Sequence, residues 1–185
     1  MSYTIDIGQL KDLQDIEVFV AASVYPAFDH PDLTDDQRAE NERIVQISRA
    51  ACESAIKAER RCIFVARGAQ SQLAGFVIVD EADPQLPEID WLIVGAQYHG
   101  TGVAQALMAQ ALQHIGPERQ VKLSVIHYNG RAIRFYEKCG FRDAGWATGN
   151  YKISRRLMLR AGVAVNDPPP SGQLRQPDIS NPSAS

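Results

Sequence analysis

Apolar residues recur along this chain with two different periods, and the switches between them divide it into elements. Residues 3–7 (Tyr-Thr-Ile-Asp-Ile) alternate polar and apolar, which predicts a short edge strand. Leu13, Ile16, Val20 and Val24 then recur at helical spacing. That helix is expected to end at Tyr25-Pro26, because the residue before a proline resists helical geometry. A loop from Pro26 to Leu33 leads to Thr34-Asp35-Asp36, which supply caps for a long second helix with Ile44, Ile47, Ala51 and Ala55 as its buried stripe. The period then changes to that of strands. Residues 62–67 and 73–79 read as an antiparallel hairpin turning across Gly68 to Gln72. Pro84 and Pro87 interrupt the chain before a third long strand over residues 88–94. Beyond a glycine-bearing turn, Val103, Leu107, Ala111 and Ile115 mark one stripe of an amphipathic helix. Val121–Ile126 predicts another strand, about 130–138 a short helix, Gly140-Phe141 the opening of a further strand, and Lys152–Leu159 the last strand.

The resulting order, β-α-α-β-β-β-α-β-α-β-β, implies an α/β fold of the α+β kind: one mixed sheet with helices on both faces. A single domain is expected over residues 1–160. Residues 161–185 contain Pro168-Pro169-Pro170, many serines and asparagines and no aromatic, and read as a disordered tail.

Composition narrows the class without naming it. The chain has 185 residues, 45% apolar and 22% charged, the values of an ordinary globule. A net charge of −3 gives no basic field for nucleic acid or an acidic membrane surface. No run of about 18 apolar residues could span a bilayer. The N-terminal MSYTIDIGQLKD lacks the basic-apolar-small succession of a signal peptide, so a cytoplasmic protein is expected. Cys52, Cys62 and Cys139 are widely spaced, form no Cys-x-x-Cys pair and share no ligand spacing with the four histidines. They are expected to be reduced, packed thiols, with no metal site.

Residues 99–104 (His-Gly-Thr-Gly-Val-Ala) join the third long strand to the amphipathic helix. A strand that passes through glycines into a helix aims several free N–H groups and a positive helix end at one place, which suits a phosphate. Many such turns carry glycines only for geometry, so the fragment alone does not decide.

Two fragments read together change this. One is Leu123-Ser-Val-Ile-His-Tyr-Asn129-Gly-Arg-Ala132-Ile-Arg-Phe135-Tyr136-Glu-Lys-Cys-Gly140-Phe141; the other is Val94-Gly-Ala-Gln97-Tyr98-His99-Gly100-Thr101-Gly102-Val103-Ala104. They resemble the GNAT superfamily of acyl-CoA-dependent N-acetyltransferases, by element order over about residues 3–159 and by motif over 88–141. The resemblance implies a mostly antiparallel sheet with a splayed parallel strand pair, acetyl-CoA as acyl donor, and a primary amine, on a small molecule or a peptide, as acceptor. A homodimer is among the possible assemblies. The family's pyrophosphate motif fits Gln97-x-x-Gly100-x-Gly102 literally. Counting from the strand end and the helix favours His99-x-x-Gly102-x-Ala104, with His99 in place of the usual Arg or Gln and the N–H groups of Gly100, Thr101, Gly102, Val103, Ala104 and Gln105 as the cradle. Pantetheine would pair with Leu92, Ile93 and Val94 like an added strand. A backbone N–H near Val94, where the strands splay, would polarise the thioester, and Asn129 would hold the cofactor nearby.

Acyl transfer to an amine needs a base, since at pH 7 only about one ammonium group in a thousand is deprotonated. It also needs a donor to the carbonyl oxygen and an acid for the departing thiolate. The resemblance places Tyr136 as the acid, a phenol protonated at pH 7; it could equally be a core aromatic. For the base, Glu88 and Asp90 share one face of the strand by its two-residue period. Glu88 holds the position where some GNAT enzymes carry a catalytic glutamate, and both carboxylates could merely solvate the strand end. His99 and His127 read as structural. Trp91, alternating with Ile89 and Ile93, reads as core, and Arg131, Arg134 and Lys138 as a solvated helix face from which one could meet the CoA 3′-phosphate. The resemblance implies that substrate selection falls to the first two helices and the loop between them, with Tyr25 and Phe28 as substrate-binding candidates. A dinucleotide-binding fold fails on Gln105, and a P-loop lacks its Lys and Ser/Thr. The remaining alternative is a catalytically degenerate acyl-CoA-binding sensor or interaction module of the same fold.

Overall fold

The computed structural model describes residues 3–14, 16–28, 32–149 and 151–163, with the side chains of 25–28 outside that set. Its strands are β1 (Tyr3–Ile7), β2 (Arg61–Gly68), β3 (Leu73–Asp80), β4 (Glu88–Val94), β5 (Val121–Ile126), β6 (Arg142–Trp146) and β7 (Arg155–Arg160). Its helices are α1 (Ile16–Phe28), α2 (Asp35–Lys57), α3 (Val103–Ile115) and α4 (Gly130–Lys138). The order of elements is the one that periodicity predicts. Short 3-10 turns at Leu10–Leu13 and Ala96–Tyr98 carry no such signal.

The strands form one sheet in the order β1-β2-β3-β4-β5-β7-β6, antiparallel throughout except between β4 and β5. Parallel neighbours require a crossover, and α3 provides it. Its stripe Val103, Leu107, Ala111 and Ile115 is buried, as its spacing demands, against Phe64, Val77, Ile89, Leu123 and Met158. Ala132, Phe135 and Tyr136 of α4 pack against the same cluster. The other face of the sheet, with Ile63, Val65, Phe76 and Ile78, is covered by Val20 and Val24 of α1 and Cys52 and Ala55 of α2.

Several expectations need correction. Helix α1 continues through Pro26 to Phe28; a proline this near a C-terminus removes only one hydrogen bond of the last turn. In α2 the buried positions are Glu40, Asn41, Ser48, Cys52 and Ala55, whereas Ile47 is 36% exposed. Of the expected stripe, Ala55 is buried and Ile44 and Ala51 pack against the α1/α2 cluster, so only Ile47 departs from it, and the helix buries polar side chains as well. The expected cap does form: Thr34 and Gln37 make a reciprocal capping box. The last strand begins at Arg155 instead of Lys152. Trp91 and Ile93 pack against the α1/α2 cluster while Ile89 joins the α3 cluster, so these three do not alternate on one face. At the C-terminus the Val163 N–H donates to Pro117 O at 2.8 Å. The tail expected beyond it, residues 164–185, lies outside the described residues.

Candidate active site

The strands β4 and β5 pair at only two positions, Glu88 with Lys122 and Ile89 with Leu123. Past them β5 turns to β7 and β4 stays with β3, so the sheet parts at Ile89 and not near Val94 as expected. A bulge sits at the parting point: Ile78 faces Trp91 and Val79 faces Ile89, which leaves Asp90 as the extra residue. The bulge explains why Ile89 and Trp91 occupy opposite faces. It also fixes which backbone groups look into the gap. The Gly95 N–H donates to Ala74 O at 3.0 Å, so Ala74/Gly95 and Phe76/Ile93 are the hydrogen-bonded pairs of the β3–β4 ladder. The N–H and C=O groups of Leu92 and Val94 therefore turn away from β3, toward the parted β5.

Beyond Val94 the chain makes the 3-10 turn Ala96–Tyr98 and enters α3. Burial, with Arg131 adding, pulls the His99 imidazole below its ordinary range, so it is neutral at pH 7. Its Nε2–H donates to Val94 O at 3.1 Å, tying the turn to the strand end. Gly100 and Gly102 have φ of 77° and 91°, the left-handed region where a side chain is strained. A Cβ on Gly100 would meet nothing within 4 Å, so the backbone there faces open space. The first intrahelical bond of α3 is Ala106 N–H to Gly102 O, leaving the N–H groups of Val103, Ala104 and Gln105 without a partner among the described residues. Thr101 is placed differently: its N–H and hydroxyl both turn back to Tyr98 O. The side chain of Val103 is wholly within the core. Gln97 lies on the exposed side of the 3-10 turn.

These elements enclose a cleft of about 220 Å³ that enters through the parted strands. Leu92, Ile93, Val94, His99, Gly100, Gly102, Ala104, Gln105, Asn129 and Tyr136 all line it, whereas Thr101, Val103, Glu88 and Asp90 do not. Asn129 caps α4 by accepting from the Ala132 N–H at 3.1 Å, which occupies Oδ1 and leaves its amide NH2 for the cleft. Tyr136 packs edge-on against Phe135 and Phe141. Among the described residues its hydroxyl has no hydrogen-bond partner. Burial raises its pKa, so the phenol stays protonated. Arg131, one of the three basic residues named for the CoA 3′-phosphate, lines the cleft too, as do Ser23, Val24, Ala132 and Phe135, which were not singled out from the sequence as ligands. The spacing Ala132, Phe135, Tyr136 marks one helix face and could have revealed two of them.

Ser23 and Val24 belong to α1, so the cleft reaches through the sheet to the α1/α2 face. There the two carboxylates of β4 are held by cations. Glu88 faces Lys122 Nζ at 3.3 Å, and Asp90 accepts from Arg61 Nη2 at 2.5 Å. Burial, with Glu88 and Asp80 adding, raises the Asp90 carboxyl above its usual range, against the pull of Arg61 and Arg155. Their common face, expected from the two-residue period, holds. His127 packs edge-on between Tyr128 and Trp146. Cys52 is buried and its thiol is pushed up to about 12, so it is inert at neutral pH. The backbones of Tyr25 and Phe28 lie in α1, but their side chains fall outside the described residues. Among the described residues no cluster of His, Cys, Asp and Glu could hold a metal ion, and no helix is long and apolar enough to cross a membrane.

Comparison with known proteins places this geometry in context. The profile described as "Acetyltransferase (GNAT) family" matches residues 22–141. An uncharacterized N-acetyltransferase of Mycobacterium bovis is 36% identical over 91 residues, which are 48% of this chain and 58% of that protein. The chain thus spans less than two thirds of that relative's length. The spermidine N(1)-acetyltransferase of Vibrio cholerae is 29% identical over 119 residues, 59% of this chain and 68% of that one. Among solved structures, the PaiA N-acetyltransferase of Thermoplasma acidophilum in complex with coenzyme A shares the fold at a TM-score of 0.71. That likeness covers 87% of this chain and 99% of the other at 17% identity.

Proposed function

The chain belongs to the GNAT family of acetyltransferases, and from that premise we propose that it transfers an acetyl group from acetyl-CoA to a primary amine by direct attack in a ternary complex. The observation that carries this reading is the opening through the sheet, which lets two ligands meet from opposite faces between β4 and β5.

The residues on the α3/α4 face fit acyl-CoA. The N–H and C=O of Leu92 and the N–H of Val94, whose own carbonyl is taken by His99, turn toward the gap, as an edge strand offers such groups to an added strand. The open backbone at Gly100 and the N–H groups at the start of α3 suit a pyrophosphate, with the Arg131 side chain at the same wall. When bound, acetyl-CoA supplies an acetyl group activated as a thioester. Tyr136 holds a proton at Oη, placed to be given up to a departing thiolate. A backbone N–H of β4 beyond the bulge is placed to donate to a developing negative charge. On the α1/α2 face, a carboxylate of the Glu88/Asp90 pair takes the proton from the amine. The bulge position and raised pKa of Asp90 support it, and the neighbouring Glu88 shares its surroundings. The identification of the cradle favours the register that begins at His99: Gly102→Val is expected to weaken CoA binding about 10-fold or more by calorimetry, through left-handed strain of about 1–2 kcal/mol and blocked access. Gln97→Ala should leave binding near that of the parent. The reverse order would mean that the literal Gln97 register is the working one.

Because the carboxyl of Asp90 titrates above the usual aspartate range, kcat/KM is expected to fall on its acid side above about pH 4, where an ordinary aspartate would still be ionised. Asp90→Asn should abolish that limb and lower the rate about 100-fold. If Glu88→Gln removes the limb and Asp90→Asn spares it, Glu88 is the base. The reaction class itself is tested by thiol release from acetyl-CoA across an amine panel. CoA binding without turnover on any amine favours a sensor or interaction module, and absence of CoA binding defeats both readings.

A further inference from the structure

At the glycine turn one side chain has only half of its hydrogen bonding satisfied. His99 lines the cleft together with Gly100, Gly102 and Arg131. A carbonyl oxygen can only accept, so the bond from Nε2 to Val94 O at 3.1 Å fixes the ring's proton on Nε2. The neutral ring then carries its lone pair on Nδ1. That nitrogen has no hydrogen-bond partner among the described residues, and it is not among the polar atoms sealed from solvent. Next to it the backbone at Gly100 faces open space. The unpartnered amides at the start of α3 and the Arg131 guanidinium make this corner attractive to an anion. A bare lone pair, however, repels a phosphate oxygen. One proton on Nδ1 converts that contact into a charge-assisted hydrogen bond.

We propose that His99 binds the cofactor's diphosphate in a proton-coupled way: Nε2–H goes on holding the turn to the strand end, while Nδ1 takes a proton from solvent and donates a hydrogen bond to a phosphate oxygen. This rests on the acyl-CoA reading above and adds how solution pH regulates that site. An arginine here would be charged at every working pH and a glutamine at none, so histidine makes binding depend on the proton. The surroundings set the direction. In the empty cleft burial, and after it Arg131, keeps the ring neutral. Apart from His99, the ionisable side chains lining the cleft are Arg131, Tyr98 and Tyr136. Tyr98 Oη accepts from Gln72 Nε2 at 2.7 Å, Tyr136 keeps its proton, and from β1 the Tyr3 hydroxyl donates to Gly102 O at 3.5 Å. None of these phenols supplies a negative charge to the ring. A diphosphate does, and it outweighs Arg131, so a proton enters with the ligand. By linkage, affinity rises as pH falls through the ring's value in the complex and levels off below its value in the free protein. The effect falls on KM for acetyl-CoA, which separates it from the acid limb of turnover assigned to Asp90.

The test uses the full chain and 3′-dephospho-CoA, which keeps the ionised diphosphate and lacks the phosphomonoester that itself titrates near about pH 6. Calorimetry at about pH 6.5, in buffers of different ionisation enthalpy, counts the protons exchanged on binding. The parent should take up about half a proton or more, and its Kd should rise about 10-fold between about pH 5.5 and 8. His99→Gln keeps an N–H for Val94 O and cannot be charged, so it should bind without proton uptake and with a flat Kd. Nitrogen NMR of the histidine rings reads the parent directly and needs no variant: His99 should pass from the Nε2–H form to the doubly protonated form on saturation. The proposal is overturned if the parent binds without proton uptake, if the uptake persists in His99→Gln, or if the ring stays singly protonated in the complex. Absence of binding at any pH would defeat the acyl-CoA reading and this inference with it, whereas binding without uptake defeats this inference alone.

Discussion

Tyr136→Phe is expected to lower kcat about 100-fold while CoA binds as tightly as to the parent. The substitution removes one oxygen from a ring wedged between Phe135 and Phe141, so the packing that holds α4 against the sheet is retained. That oxygen makes no hydrogen bond to the rest of the described protein, so its loss leaves no orphaned partner and costs little stability. What disappears is a proton donor at the cleft wall. A positioned general acid typically contributes about 10²–10⁴-fold, and a thiolate is a fair leaving group unaided, which argues for the lower end. Steady-state kinetics with calorimetric CoA affinity separate the outcomes. Unchanged kcat would return Tyr136 to the role of a core aromatic, and a parallel loss of affinity and rate would make it a binding residue. The raised pKa adds a pH signature: the phenol remains a donor throughout the neutral range, so no basic limb below about pH 10 should trace to it.

Glu40→Ala should be the most destabilising of the substitutions considered. Removing the carboxylate leaves Arg43 and Arg155 facing each other with Arg155 largely covered, and breaking a buried pair from one side costs about 3–5 kcal/mol. Chemical denaturation should show the lower midpoint, and a melting curve a drop of roughly 10 °C for a chain of this size. Hydrogen bonding by Arg43 holds the Glu40 carboxyl below its ordinary range despite the opposing effect of burial. A carboxyl with a depressed folded-state pKa contributes stability that is present above its unfolded value, about 4.3, and lost as pH falls through the folded value. The parent protein should therefore lose stability below about pH 4.3 more steeply than Glu40→Gln. Equal slopes would show that the triad is held in place by packing and adds nothing of its own.

How much of this was legible beforehand depended on where the buried residues are apolar. The hairpin β2–β3 and the stripe of α3 bury Val, Ile, Leu and Ala, so their periods announce both element and face. Helix α2 turns Glu40, Asn41 and Ser48 inward, and no apolar pattern can report that; of the stripe drawn along it, Ile44, Ala51 and Ala55 pack against the core and Ile47 does not. Asp90 illustrates a second barrier. A bulge is a mismatch between two strands, so it cannot be seen in one strand's sequence, and it separates Ile89 from Trp91 although their spacing groups them. On the cofactor side the reading was better: ten of the sequence-named positions line the cleft, because a glycine turn between strand and helix constrains its own geometry. Arg155 gave no sign of burial because a basic residue in an alternating strand looks solvated until Glu40 of α2 is found bonded to it.

The two-pair junction between β4 and β5 has a consequence for how the molecule comes apart. Strands β1 to β4, each hydrogen-bonded to its predecessor in sequence, form one block, and β5, β7 and β6 with α4 form another. Few backbone bonds cross between them, so the joint is held chiefly by the apolar core that Leu123 and Met158 share with Phe64, Val77 and the α3 stripe, and amides along the seam are expected to exchange ahead of those inside either block. A ligand wedged in the gap touches both blocks and supplies the rungs the sheet lacks. Its binding free energy is then expected to strengthen the joint between the two blocks and sharpen their common unfolding.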